Sequence, residues 1–177
     1  MDRITVLSSG DDSTIYILSN HRMIQGNCIL LGKSVFIRYG KVISIQDDNT
    51  LLLSETNADG SPNIVQVMDL QNKYLSPGLI DLQVYGSGGK LFGGEPSVEA
   101  LKQMSNDFIQ QGTTGFLATV ATNAESVFIA AIKSFEDYNA DSAIGNCWGL
   151  HFEGPFISRD KRGAHPRYFV NLNVFLY

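Results

Sequence analysis

Between Pro77 and Glu153, short apolar runs alternate with amphipathic stretches, and this alternation constrains the fold more than any other feature of the chain. Leu79-Ile80-Asp81-Leu82-Gln83-Val84 is a short, nearly continuous apolar run that ends at Gly86-Ser87-Gly88-Gly89. In residues 96–111, Val98, Leu101, Met104, Phe108 and Ile109 recur at helical spacing, Ser97 is placed to cap the start, and Gly112 to stop the end. Thr114–Val120 reads as a second strand, Ala124 to about Tyr138 as a second helix, and Cys147–Phe152 as a third strand. Strand, helix, strand, helix, strand implies parallel pairing, because a parallel connection needs a crossover that a helix supplies.

Upstream the pattern differs. Residues 1–13 are polar and expected to be flexible. Within 14–76, Thr14–Leu18, Cys28–Leu31, Ser34–Arg38, Val42–Ile45 and Ile64–Met68 read as strands, with residues 46–63 a polar loop. These predict a small β-sandwich-like unit, and Ser76-Pro77-Gly78 marks the change of character.

Of the 177 residues, 44% are hydrophobic and 18% charged, which suits a soluble globular protein. A net charge of −5 argues against nucleic acid or an anionic membrane as the main partner. Cys28 and Cys147 are far apart, so two reduced thiols in a cytoplasmic protein are expected. The start shows no signal-peptide pattern, and no run approaches the ~18 apolar residues of a membrane span.

The residues best placed for chemistry cluster late. Gly149-Leu150-His151-Phe152-Glu153-Gly154-Pro155-Phe156 is an apolar run that ends in a carboxylate and turns at once. A carboxylate at the C-terminal end of a strand can bind a divalent cation and an activated water; a carboxylate capping a helix or pairing with a lysine is the plainer alternative. A strand period of two puts His151 on the same face as Glu153, either as a ligand or as a residue orienting its neighbours. The basic Arg159-Asp160-Lys161-Arg162 run is a solvated loop or the neighbour of an anionic ligand. His21 is expected at the surface. Gly86-Ser87-Gly88-Gly89 lacks phosphate-loop spacing and reads as a flexible turn. With three histidines and no Gly-x-Ser-x-Gly, a nucleophilic triad has little support.

The segment from Gly149 to Pro166, with Pro77-Gly78-Leu79-Ile80-Asp81 and Gly112-Thr113-Thr114-Gly115-Phe116, closely resembles the N-acetylglucosamine-6-phosphate deacetylases of the amidohydrolase superfamily, in a eukaryotic-looking form. The resemblance runs from about residue 28 to 168. It implies an α/β fold with a β appendage: a β-sandwich part over 14–76, then over 77–170 the first three strands of a truncated (β/α)₈ barrel. A complete barrel takes roughly 250 residues, and residues 171–177 read as an aberrant tail. The implied activity is metal-dependent hydrolysis of N-acetylglucosamine 6-phosphate to glucosamine 6-phosphate and acetate, with one divalent metal ion, expected to be zinc. Glu153 is the implied metal ligand, and Ala164 and His165 the implied substrate contacts. The family's two histidine ligands and catalytic Asp lie on later strands, so no catalytic residue is assigned and the chain is expected to be inactive alone. A short non-catalytic isoform that binds the full-length subunit, or an amidohydrolase for another N-acetyl sugar, are the alternatives; the complete enzyme is compatible with a homo-oligomer. Two-metal relatives carry His-x-His where this chain has Gln83 and Tyr85. Single-metal deacetylases usually show Gln-x-Asn there, so Tyr85 is a departure that adds bulk.

Overall fold

The computed structural model describes residues 14–48, 64–141 and 145–170. The expectations for residues 1–13, for 49–63 of the polar loop and for 171–177 lie outside the described residues. The chain divides into two compact units, the boundary falling between Pro77 and Gly78.

In the first unit, β-branched and aromatic residues pair into one five-stranded sheet among the described residues. Its backbone is β1 (Ile15–Gln25), a long strand flanked by β2 (Cys28–Leu30) and β3 (Lys33–Arg38), both antiparallel to it, and by the parallel β5 (Val65–Leu75). Strand β4 (Lys41–Asp47) pairs with β3. Alternation sorts the core onto two faces: Leu18, Met23, Val35 and Leu70 form one cluster, and Ile15, Ile17 and Phe36 another.

Strands β1 and β5 run well past the apolar runs at Thr14–Leu18 and Ile64–Met68. The polar residues that follow break the alternation, but a register shift between Ser19 and His21 absorbs the irregularity. Asn20, Gln71 and Asn72 take positive φ there. The Asp69 carboxylate accepts from the Gln71 N–H at 2.8 Å and from Asn20 Nδ2 at 2.7 Å, so one side chain organises both strands. These two bonds hold its pKa below the ordinary carboxylate value. His21, expected at the surface, is instead 4% exposed. Past the register shift it lies two residues before the buried Met23, on the same packed face of the strand.

In the second unit, β6 (Leu79–Val84), β9 (Thr113–Ala121) and β10 (Cys147–Glu153) form a parallel sheet with β9 in the middle. The crossovers are α1 (Val98–Gln111) and α2 (Glu125–Asp141). Ser97 caps α1 by accepting from the Ala100 N–H, and Gly112 ends it at φ 88°, a left-handed conformation that glycine adopts without Cβ strain. Leu101, Met104 and Phe108 of α1 pack with Phe116, Ala118 and Val120 of β9 and with Ala131 and Tyr138 of α2. Phe108 and Phe116 pack edge to face, their ring centroids 4.9 Å apart. Ser105 and Tyr138 satisfy each other's hydroxyls inside this core at 2.7 Å. After β6 the Gly-rich stretch is not an open turn but a small hairpin, β7 (Gly86–Ser87) and β8 (Lys90–Leu91), followed by the fully buried Phe92. Among the described residues no helix is long and apolar enough to cross a membrane.

Candidate active site

Because one face of the parallel sheet is taken by the helices, alternation sends the remaining residues to the other face. Val84 lies beside Ala118, and both pack on the helix side. Gln83 and Tyr85 therefore face the other way, as do Thr119 and its register partner His151, and then Glu153. Polar side chains thus collect at the C-terminal ends of three parallel strands. There the loop from Gly154 to Pro166 closes over them, leaving an open cleft of about 640 Å³ lined by Tyr85, Glu153, Ile157, Lys161, Ala164 and His165, among others.

Glu153 is the hub. The Tyr85 hydroxyl donates to Glu153 Oε2, and Gln83 Nε2 donates to the Tyr85 oxygen at 3.0 Å. The negative acceptor makes loss of the phenolic proton harder, which pushes the Tyr85 pKa up, with a further contribution from burial. The Phe92 N–H donates to the Tyr85 carbonyl at 2.7 Å, so the hairpin holds Tyr85 from behind. On the other oxygen, His165 Nε2 lies 3.6 Å from Glu153 Oε1. Thr122, one residue past β9, donates to the Glu153 carbonyl at 3.0 Å and sits 2.8 Å from His165 Nδ1.

The site residues expected from sequence are placed as follows. Glu153, Ala164 and His165 share the cleft. Gln83 reaches it through Tyr85. His151 sits one step deeper, with Nδ1 at 3.3 Å from the buried Thr119 hydroxyl, and is not among the residues that line the cleft. Of the basic run, Lys161 and Arg162 both line the cleft, and the Arg162 guanidinium is held by its own loop, donating to the His165 carbonyl at 2.8 Å. Two contributors escaped the sequence reading. Thr122 carries no motif, and Tyr85 reads as added bulk, whereas its hydroxyl is a partner of Glu153.

The donor set can be tested against a metal. Glu153 offers a carboxylate and His165 a ring nitrogen at a spacing that a single cation could bridge. No group of three His, Cys, Asp or Glu side chains able to hold a metal ion occurs among the described residues. A tight zinc site normally needs three protein ligands, so the described residues supply part of such a site and do not fit a complete one.

No family model matches the chain. An N-acetylglucosamine-6-phosphate deacetylase of Caenorhabditis elegans is 33% identical over 172 residues, covering 90% of this chain and 39% of that protein. An N-acetylgalactosamine-6-phosphate deacetylase of Shewanella sp. strain ANA-3 is 41% identical over 92 residues, 52% of this chain and 23% of that one. The crystal structure of N-acetylglucosamine-6-phosphate deacetylase from Pasteurella multocida superimposes with a TM-score of 0.73 at 29% identity, covering 89% of this chain and 38% of that chain. The chain therefore spans well under half the length of the relatives it matches. Over that span, in sequence and in fold, it is a homologue of the N-acetylglucosamine-6-phosphate deacetylases.

Proposed function

We propose that this chain is part of a metal-dependent deacetylase that hydrolyses N-acetylglucosamine 6-phosphate to glucosamine 6-phosphate and acetate. The observation that carries the reading is the convergence of Glu153 and His165 on one cleft at the C-terminal ends of three parallel strands, the end at which barrel enzymes place their chemistry. In this reading Glu153 is one ligand of a divalent metal, zinc being expected, and such an ion supplies Lewis-acid polarisation and an activated water. In this reading the ligands that complete the site and the general base come from outside the described residues. This chain's own part is to hold the carboxylate and to line the acyl-sugar pocket with Ala164 and His165. It also sets the positive charge of Lys161 in the cleft lining, where it would meet an anionic phosphate. Overall, water adds to the acetyl carbon, the C–N bond breaks, and the amine leaves with a proton. A cytoplasmic location and assembly with further copies belong to the same proposal.

A second sugar is favoured by one finding, the Shewanella relative named for N-acetylgalactosamine 6-phosphate. Acetate release from the two phosphosugars, measured for the 177-residue chain and for the longest product of the same gene, tests both readings. The longer product is expected to release acetate, faster from the glucosamine substrate. The 177-residue chain is expected to show no turnover, and Glu153→Gln in the longer product to lower kcat/KM by at least 100-fold. A longer product inactive on both sugars would sink the reading. An inactive longer product that still binds the 177-residue chain would favour the non-catalytic isoform.

A further inference from the structure

We propose that Thr122 is a positioning residue that sets the tautomer and orientation of His165, so that Nε2 rather than Nδ1 faces the cleft beside Glu153. Its interest rests on the cleft being the working site of a deacetylase, but its geometry does not depend on that. Thr122 is 4% exposed, at the turn between β9 and α2. A hydroxyl has one proton to give. Its neighbour at 3.0 Å is the Glu153 carbonyl, which can only accept, so the proton is committed there. Toward His165 Nδ1, at 2.8 Å, the same oxygen can then only accept, and Nδ1 must carry a hydrogen. A hydrogen bond at one ring nitrogen decides the role left to the other. Nε2 is thereby turned to the cleft, 3.6 Å from Glu153 Oε1.

The backbone around Thr122 is built for this contact. Gly154 follows Glu153 directly, at φ +98°, and a Cβ there would fall 1.9 Å from Thr122 Oγ1. Only glycine both adopts that conformation and leaves room for the hydroxyl. One side chain thus ties the end of the carboxylate-bearing strand to the loop that carries His165. Without it, the Arg162 bond to the His165 carbonyl would hold the loop's backbone but not the ring.

The test uses the 177-residue chain, whose three histidines give three separable ring signals in ¹⁵N-labelled protein. Spectra are taken at a pH where His165 is neutral, with His165→Ala to assign its signal. In the parent chain and in Thr122→Ser the Nδ1–H tautomer of His165 is expected to dominate. In Thr122→Val, which keeps the shape and removes the hydroxyl, the Nε2–H tautomer becomes the major one. Tryptic cleavage after Lys161 and Arg162 rises several-fold in Thr122→Val and stays at the parent rate in Thr122→Ser. A role confined to stability would shift unfolding and leave the tautomer alone. A dominant Nε2–H tautomer in the parent chain overturns the proposal even if Thr122→Val fails to fold, and so does an unchanged tautomer in a folded Thr122→Val. Loss of the deacetylase reading would leave these outcomes unmoved, since neither metal nor substrate enters them.

Discussion

A buried imidazole ties the stability of the first unit to pH. Burial lowers the pKa of His21 below its ordinary 6.5, against smaller raising effects from the Leu18 carbonyl and Asp48. The unfolded chain therefore takes up a proton near pH 6.5 while the folded one does not. The stability this neutral ring allows is whole above that value and falls as the pH drops toward the lower folded pKa. Urea unfolding of the parent chain at pH 7.5 and 5.5 should show a lower midpoint at pH 5.5. In His21→Leu that difference should shrink; an equal difference in both would remove His21 as the cause. The same scale shows what a sequence conceals. Glu153 could be singled out as a carboxylate that ends an apolar run before Gly-Pro, and the structure places it in the cleft, its role there being part of the proposal. Thr122 was not, because a threonine after a strand is ordinary until its hydroxyl is seen between a carbonyl and a ring.

At the scale of elements, local signals were largely readable. Ser97 and Gly112 bracket α1 as read, because capping and left-handed stops act through the backbone within a turn of the residue concerned. Replacing Ser97 by Ala should cost about 1 kcal/mol in the second unit, measured by denaturant unfolding. The lengths of β1 and β5 were not readable, since the bond pattern around Asp69 joins residues about fifty positions apart. Close packing between strands was equally hidden. A Cβ on Gly115 would lie 2.4–2.6 Å from three ring atoms of Trp148, so β9 needs glycine where the indole crosses it. Trp148 is the chain's one tryptophan and is 54% exposed, so the ring has room to swing outward. Gly115→Ala should therefore red-shift the intrinsic fluorescence with a modest loss of stability; an unshifted spectrum would show that the ring does not lie over this glycine.

At the scale of the molecule, the three-stranded sheet has two edges among the described residues, β6 and β10. On β6, Leu79, Ile80 and Leu82 are each more than half exposed, an unusual load of apolar area for one edge strand. The 177-residue chain is expected to bind a hydrophobic dye and to associate as its concentration rises, and Leu82→Lys to reduce both. A monomer at all concentrations with no dye uptake would contradict this. The alternation of strands and helices, the ends of α1 and the carboxylate at the end of β10 are all written in the order of the residues. These follow from periodicity, capping and turn chemistry, all of them local. That Tyr85, Thr122 and His165 meet at Glu153, that Arg162 bonds back to its own loop, and that His21 is buried came only with the folded arrangement. Each of those depends on which distant strands become neighbours, and side-chain chemistry alone does not specify that.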